Sequence, residues 1–182
     1  NHGFETDDLL CSYAKAGEQQ GMQVTIVTGD RDAFQLATDK IRIAVPHSGY
    51  LQAEYLGPQE IEAKYGIRPD QVPAYKGLVG DSSDNLSGVI GIGPKTASQL
   101  LQSYQTLEGV YEHLDEIRPS VREKLVRDRD QAFFCQHMAL LIADLLINLL
   151  CIIPHSVLSI EVAQTNIDVS IGVVDSQRAR QP

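Results

Sequence analysis

Seven carboxylates lie in three short clusters of this sequence: Glu5, Asp7 and Asp8; Asp30 and Asp32 within Gly29-Asp30-Arg31-Asp32; and Asp81 and Asp84 within Gly80-Asp81-Ser82-Ser83-Asp84-Asn85. Each cluster alone has a structural reading. Acids in a first helical turn suit the helix dipole. Asp30 and Asp32 could cap the start of a helix. The third cluster could be a polar loop, although Asp81 and Asp84, three apart, would share a face in a single turn. Together they point to chemistry. Like charges about 4 Å apart repel by roughly 4 kcal/mol at an effective dielectric of 20. Carboxylates converging on one site would therefore need cations. Oxygen donors without His or Cys suit hard ions such as Mg²⁺ or Mn²⁺. A pair of these ions serves in-line displacement at phosphodiesters: one generates the attacking hydroxide, the other steadies the leaving oxygen.

A second constellation is the segment 86–101, LSGVIGIGPKTASQLL. Gly91-Ile92-Gly93 reads as a tight hairpin that permits close backbone approach. Pro94 suits the first position of a following helix. Ala97 is small enough for close packing. This is the pattern of a helix-hairpin-helix, whose backbone N–H groups hold a phosphate without reading base sequence. Gly91, Ile92, Gly93, Lys95 and Thr96 are the candidate DNA contacts, with Lys95 adding positive charge. A glycine-rich turn between packed helices is the plainer alternative. A dinucleotide-binding GxGxxG loop fits poorly, because no strand leads into it, and with it falls a nucleotide-binding α/β protein.

The elements that must position these residues change character along the chain. Residues 6–20 read as a helix with acids in its first turn and Gly21 as its stop. The β-branched run at 23–28 (QVTIVT) reads as a buried strand that delivers Asp30 at its carboxyl end, the edge where open α/β sheets bind ligands. A short helix at 32–38 and a strand at 41–45 complete a βαβ unit, which implies a parallel sheet covered by helices. Helices are then expected at 58–65, 69–79, 94–104, 107–114, 120–128 and 130–142. Residues 138–153 are apolar apart from Asp144 and Asn148. That is shorter than the roughly 20 apolar residues of a membrane span, so a core helix running into a strand is expected. Past about residue 148 the pattern dissolves into a Ser/Val/Ile-rich tail without assignable chemistry.

Composition sets outer limits. The 182 residues are 43% hydrophobic and 21% charged, ordinary values for a soluble globular domain. A net charge of −9 excludes a bulk electrostatic grip on nucleic acid. DNA binding would rest on local cations, backbone amides or metal ions. Three widely spaced cysteines with no CxxC indicate neither a zinc knuckle nor a disulfide framework. A reducing, cytoplasmic setting follows.

The order ETDD, GDRD, GDSSDN, GVIGIGPKTA resembles the 5′–3′ exonuclease domain of bacterial DNA polymerase I, in the flap endonuclease superfamily. The likeness runs from about Phe4 to Asp144. It implies a PIN-like α/β nuclease core, part of which occupies residues 1–57. A helical subdomain at 58–146 follows, with the helix-hairpin-helix at 86–101, and residues 147–182 form a tail of unknown role. It implies that Glu5, Asp7, Asp8, Asp30 and Asp32 hold two metal ions directly or through water, with Asp30 and Asp32 catalytic, and that Asp81 and Asp84 complete the second metal site. Gly91, Gly93 and Lys95 match the hairpin that grips duplex DNA, where the family also holds a monovalent cation, typically K⁺. The substrate class is DNA with a 5′ end or flap, and a polymerase domain is expected in the parent protein. The family begins with an Asp-bearing strand and a basic helical arch, which would precede Asn1. A DNA-binding module with little catalysis is therefore the alternative.

Overall fold

A computed structural model describes residues 6–47, 53–142, 159–164 and 167–173. The chain divides into two compact units, residues 1–58 with 141–182, and residues 59–140.

The first unit is built on a five-stranded mixed sheet. Helix α1 (Thr6–Gln19) carries Asp7 and Asp8 in its first turn and ends at Gly21, whose φ is +82°. Strand β1 (Val24–Val27) follows, then a 3₁₀ turn (Asp32–Leu36) and strand β2 (Ile41–Pro46). β1 and β2 pair in parallel, Val24 opposite Ile41 and Ile26 opposite Ile43. All four of these side chains are buried and, two residues apart along each strand, they line one covered face of the sheet. The rest of the sheet departs from the expected parallel arrangement. Strand β3 (Ala53–Leu56) returns antiparallel to β2. On the other side of β1, strands β4 (Ser159–Gln164) and β5 (Ile167–Val173) form an antiparallel pair, with β5 antiparallel to β1. The order is β3-β2-β1-β5-β4. Residues read from sequence as a tail of unknown role thus supply two of the five strands.

The second unit is helical. Helix α2 (Pro58–Tyr65) precedes a 3₁₀ turn (Pro69–Gln71) that leads into α3 (Val72–Val79), with Pro73 in the first turn, where it displaces no helical hydrogen bond. Then come α4 (Pro94–Tyr104), α5 (Leu107–Glu112), α6 (Pro119–Arg127) and α7 (Arg129–Met138). The core gathers Leu78, Val89, Leu101, Leu107, Val110 and Leu125, each at most 2% exposed. Gln71, itself buried, donates to the carbonyls of Leu101 and Gln105 at 2.9 and 2.8 Å and accepts from the Arg68 N–H at 3.0 Å. One amide side chain thus satisfies the end of α4, where the last carbonyls have no helical partner.

Two helical expectations change. The last helix ends at Met138, not Ile142. The N–H groups of Leu141 and Ile142 donate to Gln35 Oε1 (3.1 Å) and Asp8 Oδ1 (2.9 Å) and so leave the helical ladder. The expected continuation from 143 to 153 lies outside the described residues. The segment 86–101 holds one helix, not two: α3 has already ended at Val79, and residues 80–93 are loop. Among the described residues, no helix is long and apolar enough to cross a membrane.

Candidate functional site

In the first unit, the chain leaves β1 through Thr28, which is buried. The Asp30 N–H donates to Thr28 Oγ1 at 3.0 Å, and Asp30 Oδ1 accepts from the Asp32 N–H at 2.9 Å. This Asx-type turn pivots the chain into the 3₁₀ turn, and Gln35 Nε2 donates back to the Asp32 carbonyl at 2.9 Å. Asp30 is therefore a turn former as well as a candidate ligand. Its position after a parallel strand is the one expected for ligand binding in such sheets. Asp8 is 7% exposed, and its carboxylate holds the Ile142 N–H. Asp7 is half-buried, and Glu5 lies outside the described residues.

In the second unit, Asp81 and Asp84 lie in a loop closed by reciprocal backbone hydrogen bonds between Asp81 and Leu86, both 2.8 Å. Gly80 begins the loop with φ +87°, and a Cβ there would stand 2.5 Å from Gly88 N and 2.6 Å from Leu86 O. A Cβ on Gly88 would meet the Gly77 and Leu78 carbonyl oxygens at 2.8 Å. The two glycines let the loop strands lie backbone to backbone. Asp81 is ion-paired with Lys76 of α3 through Oδ2, and its Oδ1 accepts from the Ser83 hydroxyl and from the Ser83 N–H at 2.9 Å. Burial alone would raise the Asp81 pKa. Hydrogen bonds from Lys76 and Ser83 outweigh it and bring the carboxyl to about 2. Asp84 is exposed. Lys76, only 9% exposed, escapes sequence reading because it lies inside an otherwise apolar helical run, VPAYKGLV.

The hairpin follows directly. The Val89 N–H donates to Leu78 O at 2.9 Å, and the Ile92 N–H closes a turn onto Val89 O at 3.0 Å. Gly91, third residue of that turn, has φ +87°, a conformation costly for any residue with a Cβ. Val89 and Ile92 are buried, whereas Ile90 is 64% exposed. Gly93 is the residue before Pro94 at the start of α4, and a Cβ there would meet nothing within 4 Å. Its side is open to an incoming group. Among the described residues, the N–H groups of Gly91 and Gly93 have no hydrogen-bond partner. Lys95 is exposed, Thr96 half-buried and Ala97 fully buried.

Three further residues touch the hairpin, all from the end of α6. Lys124 Nζ donates to Gly91 O at 2.9 Å. An Arg127 terminal nitrogen donates to Ile90 O at 2.9 Å. Asp128 Oδ2 accepts from the Ile90 N–H at 2.8 Å. Arg127 and Asp128 are themselves paired by hydrogen bonds of 2.9 and 2.6 Å. Those bonds from Arg127, helped by the Ile90 N–H, hold the Asp128 carboxyl at about 2 against the opposing effect of desolvation. No sequence signal marks these residues, which lie more than 30 positions beyond the hairpin.

Comparison with known proteins gives this arrangement a lineage. Residues 1–66 match the model of the 5′–3′ exonuclease N-terminal resolvase-like domain, and residues 67–152 that of the 5′–3′ exonuclease C-terminal SAM fold. DNA polymerase I of Bacillus subtilis is 39% identical over 142 residues, 78% of this chain and 16% of that protein. The thermostable DNA polymerase I of Thermus aquaticus is 43% identical over 143 residues, 79% of this chain and 17% of that protein. The chain therefore spans about a sixth of the length of these relatives. Among solved structures, the bacteriophage T5 flap endonuclease pseudo-enzyme–product complex with DNA and metal ions superposes with a TM-score of 0.66 at 18% identity, covering 76% of this chain and 50% of that one. The T5 5′-exonuclease with bound zinc ions gives 0.64 at 19%, covering 76% and 51%. At these identities the likeness is one of fold. The two family domains match in unbroken succession over most of the chain, and the chain belongs to the 5′–3′ exonuclease family.

Proposed function

We propose that this chain is nuclease machinery that hydrolyses DNA phosphodiesters at a 5′ end or 5′ flap with divalent metal ions. The observation that carries the proposal is the succession of both exonuclease domains, with acids at the carboxyl end of a parallel strand. We assign Asp30 and Asp32 as catalytic, and Glu5, Asp7, Asp8, Asp30, Asp32, Asp81 and Asp84 as metal ligands. The donor set fits hard cations, since every member is a carboxylate. Asp81 already accepts from Lys76 and Ser83, but a carboxylate has about four acceptor sites and retains capacity for a ligand. Mg²⁺ or Mn²⁺, as a pair, would lower the pKa of an attacking water and stabilise the leaving oxygen.

The hairpin is assigned to duplex DNA through Gly91, Ile92, Gly93, Lys95 and Thr96. Two amide N–H groups without partners among the described residues and an open Gly93 support backbone capture of a phosphate. A monovalent ion such as K⁺ belongs to this reading on carbonyls other than those of Ile90 and Gly91, which accept from Arg127 and Lys124. A polymerase domain in the parent protein is proposed from the relatives named DNA polymerase I, and a cytoplasmic location from the same kinship.

The test is cleavage of a 5′-labelled flap duplex by the 182-residue chain. Cleavage should require Mg²⁺ or Mn²⁺ and stop with EDTA, and Asp30→Ala should lower its rate by about 100-fold or more. Cleavage that survives EDTA or Asp30→Ala would sink the metal assignment. Duplex binding without cleavage in either metal would decide for a DNA-binding module instead.

A further inference from the structure

The hairpin's carbonyls and its amides face different partners: the carbonyls of Val89, Ile90, Gly91 and Gly93 each accept a hydrogen bond within the chain. A peptide unit is planar and trans, so the C=O of one residue and the N–H of the next point in opposite directions. Arg127 takes the Ile90 carbonyl, so the Gly91 N–H is turned away from α6. Lys124 takes the Gly91 carbonyl, so the Ile92 N–H is turned inward, where it closes the turn onto Val89. Asp128 holds the Ile90 N–H and, through two bonds, the Arg127 guanidinium. The pair, with Arg127 exposed and Asp128 half-buried, thus works as one unit with its net charge cancelled.

We propose that Lys124, Arg127 and Asp128 form a clamp that aims the Gly91 amide at a DNA phosphate, acting as positioning residues rather than as phosphate contacts. This rests on the assignment of the hairpin to DNA. Lys124 and Arg127 are cations beside a DNA-binding loop, so the plain alternative is direct attraction of phosphate. The two roles differ in a measurable way. A cation that neutralises a phosphate releases counterions, and its loss lowers the slope of log K against log salt by about 0.9. A cation engaged on a carbonyl contributes through geometry, and its loss leaves the slope alone.

The experiment is duplex binding by fluorescence anisotropy across a range of salt, with EDTA present to prevent metal-dependent cleavage. Lys124→Met and Arg127→Met should each weaken binding by about tenfold, the order of one lost charge-assisted hydrogen bond, at unchanged slope. Lys124→Arg should restore most of the affinity. Lys95→Met, at an exposed position assigned to phosphate contact, should lower the slope by about 0.9. Gly93→Val tests the underlying assignment: if it binds duplex as the parent chain does, the hairpin is not the DNA grip. If Gly93→Val weakens binding but Lys124→Met and Arg127→Met do not, or if they lower the salt slope, the clamp is refuted while the grip stands. Should Lys124→Met fail to fold, as judged by its melting transition, Arg127→Met alone decides by the same criterion.

Discussion

Two loops follow one another between α3 and α4, and a lysine organises each in a different way. In residues 80–88, Lys76 is buried and neutralises a side chain, Asp81. The loop closes on itself through the reciprocal Asp81–Leu86 backbone bonds and packs against itself at Gly80 and Gly88. In residues 89–93, Lys124 is half-buried and holds a backbone carbonyl, while Gly93 faces open space. The first loop spends its glycines on internal contact and presents carboxylates. The second presents amides and keeps Gly93 open to a partner, while Gly91 packs against the Lys124 side chain. One loop is thus suited to cations and its neighbour to anions, although each is a turn built on two glycines.

Alanine at the two kinds of glycine should separate them most sharply. Gly88→Ala drives a Cβ into backbone atoms that cannot rotate aside, and should destabilise by more than about 3 kcal/mol in chemical denaturation. Gly93→Ala, at a helix start with free space around it, should cost at most about 1 kcal/mol. Equal losses at both would mean that the loops do not differ as described.

Next in size is the ion pair. Lys76→Met leaves Asp81 charged with little water around it and should destabilise by about 3 kcal/mol. Adding Asp81→Asn should recover part of that loss, because the unpaired charge is gone. Additive losses in the double variant would show that the two side chains do not depend on one another.

The smallest effect is one of pH. Asp128 has a folded-state pKa of about 2, below its ordinary 3.8. Its contribution to stability is therefore complete above about pH 5 and is lost as pH falls through 4 towards 2. The melting-temperature gap between the parent chain and Asp128→Asn should be constant above pH 5 and close below 4. A gap that persists to pH 2 would place the Asp128 bond outside the hairpin's stability.

The sequence announced those elements whose signals are local. β1 and β2 are β-branched runs bounded by turn residues, and α4 carries Pro at its start and a buried apolar stripe. β3 escaped because AEYL is four residues long and only one of them is buried. β4 and β5 were left unassigned although SIEVAQ and IDVSIGV alternate in period two; the alternation is masked by the surrounding polar and small residues. The acids were legible as types, but not their local roles: Asp30 shapes a turn, and Asp8 ends the run after α7. Lys76 and the α6 clamp were not legible, since a buried lysine looks like any helical lysine and contacts across 33 to 38 residues leave no local trace.

The first unit draws its sheet from both ends of the described chain: Val24 of β1 pairs with Ile41 on one side and with Val173 on the other. The helical unit between them, residues 59–140, is one uninterrupted segment. A segment rich in local contacts closes its loops early, whereas pairing across most of a chain must first meet a large loop-closure entropy. On a ribosome, where the chain emerges from its amino end, the helical unit can be complete while β1 still has one flank uncovered. During that interval the Ile26 strand is an open edge, and the arrival of β5 closes it.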